Sequence, residues 1–173
     1  MEKEELVNNL FKIDEEVSLL FQPTNVKFKI VIVGGGALLL KGIISRATPD
    51  IDILTSYKEI DFILSKYNAN SRVSAYSDMF PYNYEDRLEK VDIDTKTVEY
   101  YVVSTEDLII SKLFSFRDKD KDDIKNAIEN KAINFKKLDE IVSSGEVKDA
   151  CLSPNRYEQF LFNYERFKKE TSK

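Results

Sequence analysis

Asp50 and Asp52 flank one isoleucine in the segment 50–54, DIDIL. Alternation along a strand puts residues i and i+2 on one face, so the two carboxylates point the same way. Paired hard oxygen ligands on a rigid strand suit Mg²⁺ or Mn²⁺. Upstream, the run 26–33 ends in Gly34, Gly35 and Gly36. A glycine turn lets backbone N–H groups approach a phosphate. Together these features read as a metal-assisted phosphoryl or nucleotidyl transfer site.

Each feature also has a plainer reading. Three glycines can simply make a tight strand-to-helix turn. No Gly-Lys-Ser/Thr follows them and GxGxxG is incomplete, so neither a Walker A loop nor a dinucleotide fingerprint is present. The two aspartates could be surface acids on an edge strand. Ile51, Ile53 and Leu54 imply a buried face, however, and like charges on a common face cost stability without a cation between them. Arg46 could be that cation.

Composition narrows the chemistry. The chain has 173 residues, no histidine, one cysteine (Cys151) and a net charge of −5. Histidine-based acid–base catalysis, His-ligated zinc and phosphohistidine chemistry are excluded, as is an intramolecular disulfide. Any metal must sit on oxygens. The acidic balance argues against a broad nucleic-acid footprint, leaving the tail cations Arg166, Lys168, Lys169 and Lys173 as a local patch or a solvated helix end. The opening MEKEEL is acidic rather than signal-like and no apolar run has transmembrane length, so a cytoplasmic protein with no membrane association is expected.

The elements that position these residues follow from periodicity. Apolar spacing predicts helices over 3–21, 37–44, 57–67, 104–115, 119–130, 135–144 and 154–169. Strands are expected over 26–33, 51–54 and 72–76, with a hairpin of 88–93 and 97–103. Ser104 or Thr105 can cap the helix that follows, with Glu106 and Asp107 in its first turn. The aromatic stretch 78–86, with Phe80, Tyr82 and Tyr84, reads as a surface loop. The order predicts an α+β fold: a mixed β-sheet with flanking helices and a helical C-terminal region. One domain over 1–173 is expected, with a sheet-containing core at 26–103 and a helical part at 104–173.

Residues 31–54 resemble the nucleotidyltransferase fold of the DNA polymerase β superfamily. That fold is marked by a Gly-Gly or Gly-Ser turn, a short helix and Asp-x-Asp on the next strand. Here the pieces are Gly34-Gly35, Ala37, Gly42, then Arg46, Thr48 and Asp50-Ile51-Asp52. Downstream, Glu106-Asp107-Leu108, Lys112-Leu113, Arg117, Lys119-Asp120 and Asp123-Ile124 are similar to the bacterial AbiEii-type branch. The resemblance runs over about residues 30–125. It implies that Asp50 and Asp52 bind metal and that Gly34 and Gly35 hold a triphosphate, with Arg46 and Thr48 beside it. It implies that Lys112 neutralises phosphate, and that Asp120, or else Asp123, is a further acid of the site. Read from the residues alone, Lys112 could instead lay its stem over the core, and Asp120 and Asp123 could be solvated charges in DKDKDD.

The implied activity is Mg²⁺- or Mn²⁺-dependent transfer of NMP from an NTP to an acceptor hydroxyl on an RNA end, a protein or a small molecule. A toxin–antitoxin context is implied with it. Polymerase β-like enzymes carry a third carboxylate on a later strand, for which Asp92, Asp94 and Glu99 are the candidates. The alternatives are a catalytically inactive nucleotide- or protein-binding module of the same fold, and a component whose main task is to bind a protein partner. For the latter, the aromatic loop and Tyr157, Phe160, Phe162, Tyr164 and Phe167 would supply surface.

Overall fold

The computed structural model describes residues 1–21, 27–55, 57–71 and 77–171. The expected strand at 72–76, Val26 of the first strand and Lys173 of the tail lie outside them. The fold is α+β, with a mixed sheet and helices. Its residues group into two compact units, Met1–Tyr76 with Arg87–Val103 and Ser77–Asp86 with Ser104–Lys173.

The first unit holds the sheet, in strand order β3-β2-β1-β5-β4. The strands are β1 (Phe28–Val33), β2 (Ile51–Ile53), β3 (Ala69–Asn70), β4 (Glu89–Lys90) and β5 (Val98–Val102). β1 runs parallel to β5 and antiparallel to β2, β2 is parallel to β3, and β4 is antiparallel to β5. Register sorts the side chains. Ile30 pairs with Tyr100, and Ile32 with both Val102 and Ile53. All five are buried, as are Leu6, Leu10, Ile13 and Val17 of helix α1 (Lys3–Leu20). The Tyr100 hydroxyl donates to the Leu10 carbonyl at 2.8 Å, tying α1 to this face. Asp14, also buried, accepts from the backbone N–H groups of Lys96, Thr97 and Val98 at 2.8, 2.7 and 2.8 Å. One carboxylate thus satisfies the donors at the entry to β5.

The opposite row of the register contains Val33 opposite Asp52, Lys29 opposite Glu99, and Asn70 opposite Asp52. This is the face that carries the acids. Helix α2 (Gly34–Leu40) starts on the first glycine itself, three residues earlier than the apolar spacing predicts, because Gly34 turns the chain at φ +63 directly off β1. Helix α3 (Asp61–Lys66) is shorter than expected and buries Ile63 and Leu64. The expected strand over 88–93 shrinks to Glu89–Lys90. Its side chains are exposed, and little burial rewards further pairing.

The second unit is helical: α4 (Thr105–Ser115), α5 (Asp118–Glu129), α6 (Phe135–Ser143), α7 (Glu146–Ala150) and α8 (Pro154–Thr171). α4 starts as its sequence predicts, with the Ser104 hydroxyl accepting from the Asp107 N–H at 3.1 Å. Phe160, Tyr164 and Phe167 of α8 are buried, while Phe162 is exposed. Phe160 stacks on Phe114 at 4.6 Å between ring centroids. The Asn163 amide donates to the Leu113 carbonyl at 2.7 Å, so α8 meets α4 through both apolar and polar contacts. In the stretch expected to be a loop, Phe80 is buried, Tyr82 is exposed, and residues Tyr84–Arg87 form a short 3-10 turn. No helix among the described residues is long and apolar enough to cross a membrane.

Candidate functional site

The glycine turn and the acidic strand converge. A Cβ on Gly34 would stand 2.6 Å from Asp52 Oδ2, closer than real contacts allow. The Asp52 carboxylate therefore lies directly against the backbone of Gly34, in space that any side chain would fill. Antiparallel pairing of Val33 with Asp52 makes the approach, and the positive φ of Gly34 keeps the turn tight. A Cβ on Gly35 would meet Thr48 Oγ1 at 3.1 Å and an Arg46 guanidinium nitrogen at 3.8 Å. Thr48 is buried, and its hydroxyl donates to the Asp50 carbonyl at 3.1 Å, bracing the entry to β2. Gly34, Gly35, Arg46, Thr48 and Asp52 thus share one locality.

Asp50 points elsewhere within the same neighbourhood. Its Oδ2 accepts from the Asn70 amide at 3.2 Å. Asn70 sits on β3 in register with Asp52, so it shares the acidic face. No sequence signal singled out Asn70, a single polar residue in a two-residue strand whose pairing partner is set only by the sheet. Asp50 and Asp52 are both half-buried.

The candidates for a further acid lie apart. Glu99 pairs with Lys29, four residues before Val33 on β1, which is roughly 13 Å along the strand. Its carboxylate is held by Lys90 at 2.9 Å and by the Tyr101 hydroxyl at 3.1 Å, which keeps its pKa below the usual carboxylate value. Asp92 and Asp94 are exposed between β4 and β5. At the level of the Asp52 row, β5 ends in Val102 and is followed by Val103, both buried.

The donor set fits a divalent cation of one kind. Among the described residues no group of three or more His, Cys, Asp or Glu could hold a metal. Mg²⁺ bound for phosphoryl chemistry takes one or two carboxylates and completes its shell with substrate phosphates and water. Asp50 and Asp52 match that arrangement, with the side-chain-free glycine backbone alongside.

Lys112, Asp120, Asp123 and Arg117 belong to the second unit, where they form a network of their own. Phe116 ends α4 in the left-handed region at φ 46 and turns the chain into α5. Lys112 Nζ then reaches Asp123 Oδ2 at 2.7 Å and Asp120 Oδ1 at 3.3 Å. Asp120 Oδ2 also accepts from the Ser115 hydroxyl at 2.8 Å, Arg117 Nε at 2.9 Å and the Arg117 backbone N–H at 3.2 Å. Lys112, Asp120 and Asp123 are buried, and the cluster balances two positive against two negative charges. Burial alone would raise the pKa of Asp120. Arg117, Ser115 and Lys112 outweigh it and bring the pKa down to about 2. Nearby, Glu106 is buried on α4, accepts from the Asn134 N–H at 2.9 Å and pairs with Lys137 at 3.4 Å.

No curated protein and no solved structure matches the chain. One family model does, over residues 8–172, and nearly the whole chain is thereby placed. The chain belongs to the family described as "Nucleotidyltransferase of unknown function (DUF6036)".

Proposed function

We propose that this protein is a Mg²⁺-dependent enzyme that transfers NMP from an NTP to an acceptor hydroxyl. The observation that carries the reading is the contact of the Asp52 carboxylate with Gly34, which brings a candidate metal ligand and a glycine turn together. Asp50 and Asp52 would hold the cation, which when bound offsets phosphate charge and lowers the barrier to displacement. Gly34 and Gly35 would admit the triphosphate against their backbone, with the Thr48 hydroxyl beside them.

Two adjacent carboxylates repel a triphosphate, so the site also needs a fixed cation. Arg46 stands next to Gly35 and is assigned that role first. The resemblance to the AbiEii-type branch gives it to Lys112. The ammonium of Lys112 is shared between Asp120 and Asp123, and in this reading the three position α4 against α5. In the transfer, the acceptor oxygen forms a bond to the α-phosphorus. The bond from that phosphorus to the α–β bridging oxygen breaks, pyrophosphate leaves with the electron pair, and the hydroxyl proton passes to water. The chain contributes orientation and charge compensation.

A second reading has its own support. The candidates for a further acid, Asp92, Asp94 and Glu99, lie apart from Asp52, whose level on the sheet holds the buried Val102 and Val103. A module that binds nucleotide without turnover, alone or against a protein partner in a toxin–antitoxin pair, accommodates this. The test incubates the purified protein with each α-³²P-labelled NTP, Mg²⁺ and total cellular RNA or lysate. Transfer predicts a labelled RNA, protein or small molecule that disappears with the Asp50→Asn, Asp52→Asn double variant. Nucleotide binding with no labelled product favours the second reading.

A further inference from the structure

Of the two acids, only Asp52 is held by the sheet. It lies within β2, in register with Val33 on one side and Asn70 on the other. Asp50 stands one residue before β2, outside the ladder. Its backbone carbonyl accepts from the Thr48 hydroxyl at 3.1 Å, and its Oδ2 accepts from the Asn70 amide at 3.2 Å. We infer that Asn70 positions Asp50 for the cation and, by engaging one of its two oxygens, makes the site prefer Mg²⁺ to Ca²⁺. The inference rests on the nucleotidyl-transfer reading, which gives Asp50 and Asp52 to the metal.

The backbone fixes where Asn70 stands. Asn68 turns the chain out of α3 at φ 55, and its carbonyl accepts from the Ile51 N–H at 2.8 Å. Ala69, in register with Ile51, is buried. Asn70 follows directly, opposite Asp52 and within reach of Asp50. A carboxylate oriented in advance by an outer partner loses less freedom when it takes a cation.

The chemistry of the donor decides which cation gains. An amide is neutral, so it orients Asp50 without cancelling its charge. Lys66, on α3, is drawn instead to Glu16 at 2.6 Å. With Oδ2 engaged, Asp50 offers a cation one oxygen, and chelation through both would disturb the amide's bond. Mg²⁺ takes a compact octahedral shell with one or two carboxylates and several waters, whereas Ca²⁺ gathers more oxygens, often both from one carboxylate. Asp50 and Asn70 border a hollow of about 570 Å³, which gives retained water room. Asp61 lines it too, but among the described residues no three acids could hold a metal together, so the set stays at two carboxylates.

The test follows Mn²⁺ on the full chain by water proton relaxation, without nucleotide, and displaces it with Mg²⁺ or Ca²⁺. The unaltered protein should release Mn²⁺ to Mg²⁺ at about a tenfold lower concentration than to Ca²⁺. Asn70→Ala should bind Mn²⁺ about tenfold more weakly, with Mg²⁺ and Ca²⁺ now displacing it at similar concentrations. Its melting temperature should stay within about 4 °C, the scale of one lost hydrogen bond. Asn70→Asp keeps the side chain's shape, exchanges the donor for an acceptor and adds a carboxylate, so Ca²⁺ should become the better displacer. It tests the same point should the smaller side chain disturb the strand. An unaltered protein that does not prefer Mg²⁺ to Ca²⁺, a preference unmoved in both variants, or equal weakening of all three ions overturns the assignment and leaves the nucleotidyl-transfer reading standing. Failure of Mn²⁺ to bind the unaltered protein, with or without NTP, overturns that reading and the role of Asn70 with it.

Discussion

The Asp52 carboxylate occupies the space that a side chain at Gly34 would need, with Oδ2 2.6 Å from the position of a Cβ there. Gly34→Ala therefore brings two penalties: strain at φ +63 and displacement of Asp52. Gly42 has φ +70 but nothing within 4 Å of a Cβ, so Gly42→Ala brings the strain alone. Both variants should lose about 1 kcal/mol from the backbone. Only Gly34→Ala should also lose Mg²⁺-dependent NTP binding. Calorimetric titration of the two variants checks this, and equal nucleotide affinities would remove Asp52 from the proposed site.

The Asp50→Asn, Asp52→Asn double variant should fold and keep little or no metal-dependent NTP affinity. The unaltered protein should bind Mg²⁺ or Mn²⁺ weakly alone and more tightly with NTP, because the triphosphate supplies further oxygen ligands. Titrating Mn²⁺ by its effect on water proton relaxation, with and without NTP, measures both. Metal binding that the double variant retains would place the cation elsewhere.

Arg46 and Lys112 should separate by the property that changes. Arg46→Ala should weaken NTP binding about tenfold, with stability altered by no more than about 0.5 kcal/mol. Lys112→Ala leaves Asp120 and Asp123 buried with one cation fewer and should cost about 3–5 kcal/mol. Lys112→Met combined with Asp123→Asn restores charge balance and should recover a large part of that loss. Thermal melts with and without NTP give both readouts. An NTP-induced shift that vanishes in the rebalanced double variant would assign Lys112 to phosphate after all.

Asp120 makes stability acid-sensitive. Its pKa of about 2 in the folded chain lies below the ordinary 3.8, so it stabilises the fold at pH values above the unfolded pKa. That contribution, about 2 kcal/mol, should fade as pH falls from about 4 to about 2. Asp120→Asn should be less stable at neutral pH and show a shallower decline across this window. Urea denaturation at a series of pH values from neutral to acid checks the sign and the range.

Much of this was readable from residues in order. The acidic pair itself stands in the sequence, but Asp50 lies one residue before β2 and accepts from Asn70 while Asp52 abuts Gly34, so strand alternation governs Asp52 alone. Ser104 three residues ahead of Asp107 marks a helix start because the unpaired N–H groups of a first turn need an acceptor. The mixed α+β class follows from the order of apolar periods. These are local properties, carried by neighbours in the chain. Only the start of α2 on the glycines escaped the spacing, since glycines carry no side chain to register a period.

Only the tertiary structure decided what these residues meet. β5 lies beside β1 although β2, β3 and β4 come between them in the described residues, and that order sets Val102 and Val103, not Glu99, at the level of Asp52. Asn70 reaches Asp50 because β3 pairs with β2, a contact twenty residues apart in sequence. Lys112 is neutralised because one left-handed residue, Phe116, folds α5 back so that Asp120 and Asp123 face it. A charge in sequence has no fixed partner. Pairing depends on which distant backbone brings a counter-charge within a few ångströms, and that is settled by packing of the apolar residues between them.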